Sequence, residues 1–184
     1  MKRDLQKPLT GFGIVVLIAV LDQISKWAIL EHVLKSEGEP LGFIEWMSSA
    51  PERLGRASIE ILPFFNLSMV WNEGISFGMF RGGGALILIV LALIVSALFA
   101  VWLAKTKEWM QAISLSMVIG GALGNVIDRA RFGAVADFLD FHVAGWHYPA
   151  FNLADSAITV GIVLLVLDGL FFEPRRNRNK RKSS

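Results

Sequence analysis

The sequence contains no cysteine, which removes disulfides, thiolate metal sites and a cysteine nucleophile from consideration. Charge is scarce too. Asp, Glu, Lys and Arg make up 18% of the 184 residues, whereas a soluble domain carries about 25%. With 54% hydrophobic residues and a mean hydropathy of +0.53, that deficit points to lipid. There is no strong excess of one sign either: the net charge is +2, and a third of the basic residues sit in the last ten positions. A basic tail beside a membrane segment marks its cytoplasmic end, and no nucleic-acid partner is expected from it.

What the chain does have is apolar runs of bilayer length, which predict a single membrane domain over 1–184. After a polar start with Lys2, Arg3 and Lys7, residues 11–30 form the first predicted transmembrane helix. The run is too long for a signal peptide, and no small-residue cleavage site follows. Asp22, Gln23 and Lys26 interrupt only its far end, and Asp22 and Lys26, four apart, share a helix face. Residues 85–103 are uncharged, 110–127 are apolar and rich in Gly and Ser, and 156–172 form a fourth span with Asp168 near its end. Small residues in the third span allow close helix approach. Lys105 and Lys107 close the second span, and a basic tail occupies 173–184.

The fold class expected is an all-α membrane protein with four transmembrane helices and a small β-rich cradle between helices 1 and 2. Its strands come from 31–81, where SEGEPLGFIEWMSSAPERLGRAS (36–58) reads as loop with a short amphipathic piece. The segment IEILPFFNLSMVWNEGISFGMF alternates apolar and polar residues, which predicts short strands around a turn at Asn72-Glu73-Gly74. Trp46, Phe64, Phe65, Trp71, Phe77 and Phe80 offer an aromatic platform for the membrane surface; an ordinary exposed loop explains them equally. Eleven of the eighteen basic residues fall in the N-terminus, the 104–109 turn and the tail, so both termini are expected in the cytoplasm. The segments 31–81 and 128–154 then lie on the outer side.

On that side stands GGALGNVIDRARFGAVADFLDFHVAGWHYPAFNLAD (120–155), with Asp128, Asp137, Asp140 and Asp155 beside hydrocarbon. Carboxylates there are costly and signal a functional site. Gly121, Asn125, Asp128 and Arg129 share one stripe of the third helix. Asp137 and Asp155 come from different elements to one rim, the arrangement a hydrolytic carboxylate pair needs. Two such groups held close share one proton, so one can activate water while the other protonates a peptide carbonyl. Asp155, near a helix N-terminus, is the better candidate for the ionised member. Each residue also has a plainer explanation. Asn152 and Asp155 suit a helix cap, Asp128 and Arg129 suit a structural pair, and Asp140, His142 and His147 suit an interfacial loop rather than zinc.

The segments LDQISK (21–26), LSMVWNEGISFGMF (67–80), GGALGNVIDR (120–129), VADFLDF (135–141) and FNLADSAI (151–158) together resemble the motif series of bacterial lipoprotein signal peptidase, or signal peptidase II. That resemblance implies a four-helix inner-membrane aspartic endopeptidase, with a periplasmic β-cradle, that needs no cofactor. It would act on prolipoproteins just before a diacylglyceryl cysteine. By motif the catalytic dyad falls on Asp137 and Asp155. Further functional positions fall on Asp22, Lys26, Asn72, Gly74, Gly121, Asn125, Asp128, Arg129, Asn152 and Ala154. The resemblance also implies a monomer in contact with membrane lipid, inhibited by cyclic peptides such as globomycin. The 36–60 stretch is longer than the family's usual loop, and no role is assigned to it. A proton-coupled carrier and a non-catalytic scaffold are the competing classes. A carrier would place acids near the bilayer midplane, whereas the central parts of the second, third and fourth spans carry none.

Overall fold

In the computed structural model, which describes residues 6–49, 51–74 and 84–174, four helices are long and apolar enough to cross a membrane. Helix α1 runs Gln6–Ile29 and continues through a π-helical turn to Leu34; α3 spans Gly84–Lys105, and α4 Trp109–Phe132. Helix α5 spans Leu153–Leu167 and ends in a second π-helical turn, Asp168–Phe172. All four exceed the expected limits, because polar ends such as Asp128-Arg129-Ala130-Arg131 remain helical.

Helix α4 is the central element and packs against α1, α3 and α5. Glycine makes this possible. A Cβ on Gly120 would lie 2.9 Å from the Val15 carbonyl of α1, and one on Gly121 would lie 2.4 Å from the Ala154 carbonyl of α5. With no hydrophobic force between helices in lipid, such close backbone contact and interhelical hydrogen bonds supply the association. Val15, Leu103, Ala112, Leu115 and Ile119 form the core at the inner half of the bundle.

Outside the spans lie a short helix, α2 (Phe43–Ser49), and a four-stranded antiparallel sheet in the order β1-β2-β3-β4. Strands β1 (Ser58–Leu62) and β2 (Phe65–Asn72) precede α3, whereas β3 (Val135–Val143) and β4 (Trp146–His147) connect α4 to α5. The sheet therefore does not arise only between the first two spans: half of it comes from 128–154. The described hairpin turns at Pro63-Phe64, and β2 ends at Asn72, two residues before Gly74 at φ +84°. The expected continuation through 75–80, with Phe77 and Phe80, lies outside the described residues, as do Lys2, Arg3 and the basic tail from Arg175. The β3–β4 turn is Ala144-Gly145, both at positive φ, which matches the twist of a two-residue hairpin.

Of the four described aromatics of the expected platform, Trp46 is turned inward, Phe65 and Trp71 are half-buried, and Phe64 is exposed. Trp46 of α2 is only 1% exposed and packs with Leu30, Leu34, Leu67, Met69, Ala136 and Phe138. Trp71 donates its indole N–H to the Leu54 carbonyl and stacks on Phe132 at 5.2 Å. Thus the 36–60 stretch covers the underside of the sheet. Burying aromatic area there stabilises it, by about 1.5–3 kcal/mol per fully buried large side chain.

Candidate active site

The first helical turn of α5 and the first strand after α4 meet at one point. Asn152 is the N-cap of α5: its Oδ1 accepts the Asp155 N–H at 3.0 Å, and Asp155 Oδ2 accepts the Asn152 N–H at 3.2 Å. This reciprocal capping box satisfies two orphan donors and fixes the Asp155 side chain. The same Asn152, fully buried, sends Nδ2 to Asp137 Oδ1 at 2.8 Å. Asp137 lies on β3 opposite Val70 of β2 and takes a second hydrogen bond on Oδ2 from Asn72 Nδ2, at 3.0 Å. Asn125 of α4 completes the ring, donating Nδ2 to Asp155 Oδ1 at 2.8 Å while its Oδ1 accepts from Asn152 Nδ2 at 3.2 Å. The capping role and the placing of two carboxylates around one amide are served by the same residues.

Asp137 is 1% exposed. Burial first, and then the nearby charge of Asp155, push its carboxyl up to about 7, against the opposing hydrogen bonds of Asn72 and Asn152 and the charge of Lys26. A carboxyl raised in this way can carry a proton near neutral pH, which a general acid requires.

Beneath this ring lies a buried ion cluster. Lys26, with no exposed surface, pairs with Asp22 and with Asp128, each at 2.7 Å, and lies 3.4 Å from Asn125 Oδ1. The Asp22–Lys26 pair, expected from the shared helix face, is thus buried inside the bundle. Asp128 pairs with Lys26, not with Arg129. Each carboxylate of the cluster also binds backbone. Asp22 Oδ1 accepts the Ala154 N–H at 3.0 Å, and Asp128 Oδ2 accepts the Ala136 N–H at 3.1 Å. These are the residues immediately before Asp155 and Asp137. One ion cluster therefore fixes the backbone entering both aspartates. Gly121 and Gly124 let the elements close on it, since a Cβ on Gly124 would lie 2.5 Å from Asp22 Oδ2.

Arg129 is half-buried, its Nε has no hydrogen-bond partner among the described residues, and its guanidinium interacts electrostatically with Asp155, Asp137 and Asp128. Gly74 lies next to it: a Cβ there would be 3.6 Å from Arg129 Nη2 and 2.4 Å from Leu88 of α3. The twelve residues that the motif series marks thus lie in or against one polar network. Gln23 was missed. It is 2% exposed and donates to Asp128 Oδ1 at 2.9 Å and to Asp22 Oδ2 at 3.2 Å. Its signal was its position as the third polar residue in the apolar first span.

Asp140, His142 and His147 form a separate cluster toward the sheet's outer edge. His147 Nδ1 lies 2.7 Å from Asp140, Ser68 Oγ donates to the same carboxylate at 2.8 Å, and the two imidazoles stack at 4.9 Å. Burial would raise the Asp140 pKa, but the hydrogen bonds from His147, Ser68 and Asn66 hold it below the usual carboxylate range. Among the described residues, no group of three His, Asp or Glu is arranged to hold a metal ion.

Comparison with known proteins places this geometry. A family model described as Signal peptidase (SPase) II matches residues 14–171. The chain is 39% identical to the lipoprotein signal peptidase of Rhizorhabdus wittichii over 94% of its length and 92% of the relative's. It is 40% identical to that of Burkholderia ambifaria, covering 98% of this chain and 100% of the other, and 35% identical to that of Anaplasma phagocytophilum, covering 88% and 92%. A bacterial membrane enzyme solved by the in meso method at 1.9 Å superposes with a TM-score of 0.67 at 28% identity, over 89% of this chain and 94% of that one. The multi-pass chain that gathers Asp137 and Asp155 around Asn152 belongs to the signal peptidase II family of aspartic proteases.

Proposed function

We propose that this protein removes the signal peptide from diacylglyceryl-modified prolipoproteins, cutting just before the lipidated cysteine, with Asp137 and Asp155 as its catalytic dyad. The observation that carries the reading is the amide ring of Asn125 and Asn152. It holds two aspartates from different elements around one point, one of them buried with a pKa of about 7. Asp155, whose oxygens accept from Asn125 and from the Asn152 backbone, takes a proton from water as the water oxygen attacks the peptide carbonyl carbon. Protonated Asp137 donates to the carbonyl oxygen, giving a tetrahedral diol. Collapse breaks the C–N bond, moves a proton from Asp155 to the departing amine and returns one from the diol to Asp137. Acid and base are then reset.

The distribution of basic residues supports both termini in the cytoplasm and a dyad at the periplasmic face of the inner membrane. In this reading Asn72, Gly74 and Arg129 border an extended substrate, and Asp22, Lys26, Gly121, Asn125, Asp128, Asn152 and Ala154 hold the dyad in place. Globomycin-like cyclic peptides compete by lodging between the aspartates, and the protein acts as a monomer in contact with lipid. The test is cleavage of a synthetic diacylglyceryl-cysteine precursor by purified protein, followed by mass spectrometry. A cut on the N-terminal side of the lipidated cysteine is expected. No cut, or an equal cut by Asp137→Asn, overturns the proposal.

A further inference from the structure

Two apolar cavities open on the membrane-spanning part of the molecule, and only one of them reaches the dyad. The first, about 430 Å³, lies between α1 and α4 under α2 and is lined by Val16, Val20, Phe43, Met47, Leu123 and Ile127 among others. It includes neither aspartate. The second, about 340 Å³, is bounded by Tyr148 and Phe151 on one side and by Asp155, Ser156, Thr159 and Val160 of α5 on the other. On α5 these four form two (i, i+4) pairs, so the cavity begins beside Asp155 and follows one helical turn, about 5.4 Å, toward the middle of the span. Its far end meets lipid: Val160 and Val163 are 46% and 51% exposed on a helix of membrane-spanning length. The opposite wall is a braced aromatic row, with Phe151 stacked on Phe141 at 5.9 Å and meeting Tyr148 edge-on at 6.0 Å.

The geometry points to this second cavity as the subsite for the S-diacylglyceryl group of the cysteine that follows the scissile bond. The inference rests on the proposed peptidase reading and adds a place for the lipid. The cysteine sulfur is only a few covalent bonds from the amide nitrogen that departs. With the carbonyl carbon at the dyad, the thioether must therefore enter a space that touches Asp155. This cavity does so, is walled by aromatic and aliphatic groups, and lets two acyl chains continue into the bilayer without crossing the sheet. The α1–α4 groove is apolar as well, but it touches neither aspartate.

Photo-crosslinking tests the assignment. A precursor carrying a diazirine on its acyl chains is bound to the Asp137→Asn protein, irradiated and mapped by mass spectrometry, with unlabelled lipidated precursor as competitor. Competable adducts are expected within 148–160. Competable adducts in 15–23 or 123–127, or labelling that no competitor reduces, overturn the proposal. As an independent arm, Val160→Trp should lower kcat/KM for the lipidated precursor about tenfold through KM, the loss expected when two or so methylenes lose their burial. Ala19→Trp in the α1–α4 groove should leave it within about twofold. The inverse pattern assigns the chains to that groove. A wild-type protein that does not cut the lipidated precursor refutes the peptidase reading itself, an outcome separate from misplacing the lipid.

Discussion

Asn152 touches both aspartates, Asp137 through its side-chain amide and Asp155 through its backbone N–H, so the dyad is held by neutral groups rather than cations. Proton sharing between carboxyls should then be sensitive to either partner. Asp137→Asn and Asp155→Asn should each lower cleavage by at least about a thousandfold with the protein still folded. Near-normal turnover of a single variant in the precursor assay would remove that residue from the dyad. The raised pKa of Asp137 also has a consequence for stability. Between the ordinary carboxylate pKa and about 7, the folded state holds a proton that the unfolded state has lost, so stability falls as pH rises through that window. Asp137→Asn should therefore raise Tm relative to wild type at pH 8 and change it little at pH 4, with a linkage ceiling of about 4 kcal/mol. Equal Tm differences at both pH values would contradict it. The aspartates were legible in the sequence because acids beside apolar runs stand out. Gln23 was not, because Asp128, which gives it meaning, lies 105 positions further along the chain.

Helices α4 and α5 meet where Gly121 faces the Ala154 carbonyl, and the same seam positions the dyad. A side chain at 121 has no room, because the atom it would strike is backbone. Gly121→Val is expected to cost activity and thermal stability together, whereas Gly74→Val, against the movable Leu88 side chain but at φ +84°, should impair turnover more than Tm. Measuring both quantities on both variants decides this, and full activity of Gly74→Val would detach that segment from the substrate. Lys26→Met should be worse than either, since it leaves Asp22 and Asp128 buried together; breaking such a pair costs about 3–5 kcal/mol. The four spans could be read from the sequence because uncharged stretches of bilayer length have few alternative structures. The sheet was only half readable. VADFLDFHV is buried along most of its length and carries two aspartates, so it lacks the alternation that marks a strand, and its partner β2 lies two long helices earlier in the chain, before α3 and α4. The turn at Pro63-Phe64 was missed because Asn72-Glu73-Gly74 is the stronger local turn signal, although β2 runs up to Asn72.

At the scale of the whole molecule, the absence of cysteine turns topology into a clean measurement. Single cysteines placed at Gly145, on the β3–β4 turn, and at Lys107, between α3 and α4, should react with a membrane-impermeant maleimide from opposite sides of sealed cells. Gly145→Cys should label from outside and Lys107→Cys only after permeabilisation; the reverse pattern would invert the orientation. The ion cluster has a further consequence, for how the protein is made. Synthesis delivers α1 to the bilayer long before α4 exists, and a lone Asp or Lys would then face lipid for that interval. Asp22 and Lys26, one turn apart, neutralise each other within the first helix, so it can wait without an unpaired charge. Asp128 joins when α4 arrives, followed by the Ala136 N–H as β3 forms, and last by the Ala154 N–H as α5 enters. Asp155 is seated only by this final step, so, on the proposed function, a nascent chain halted before its last span has no assembled pair of aspartates to expose in the membrane where it is being built.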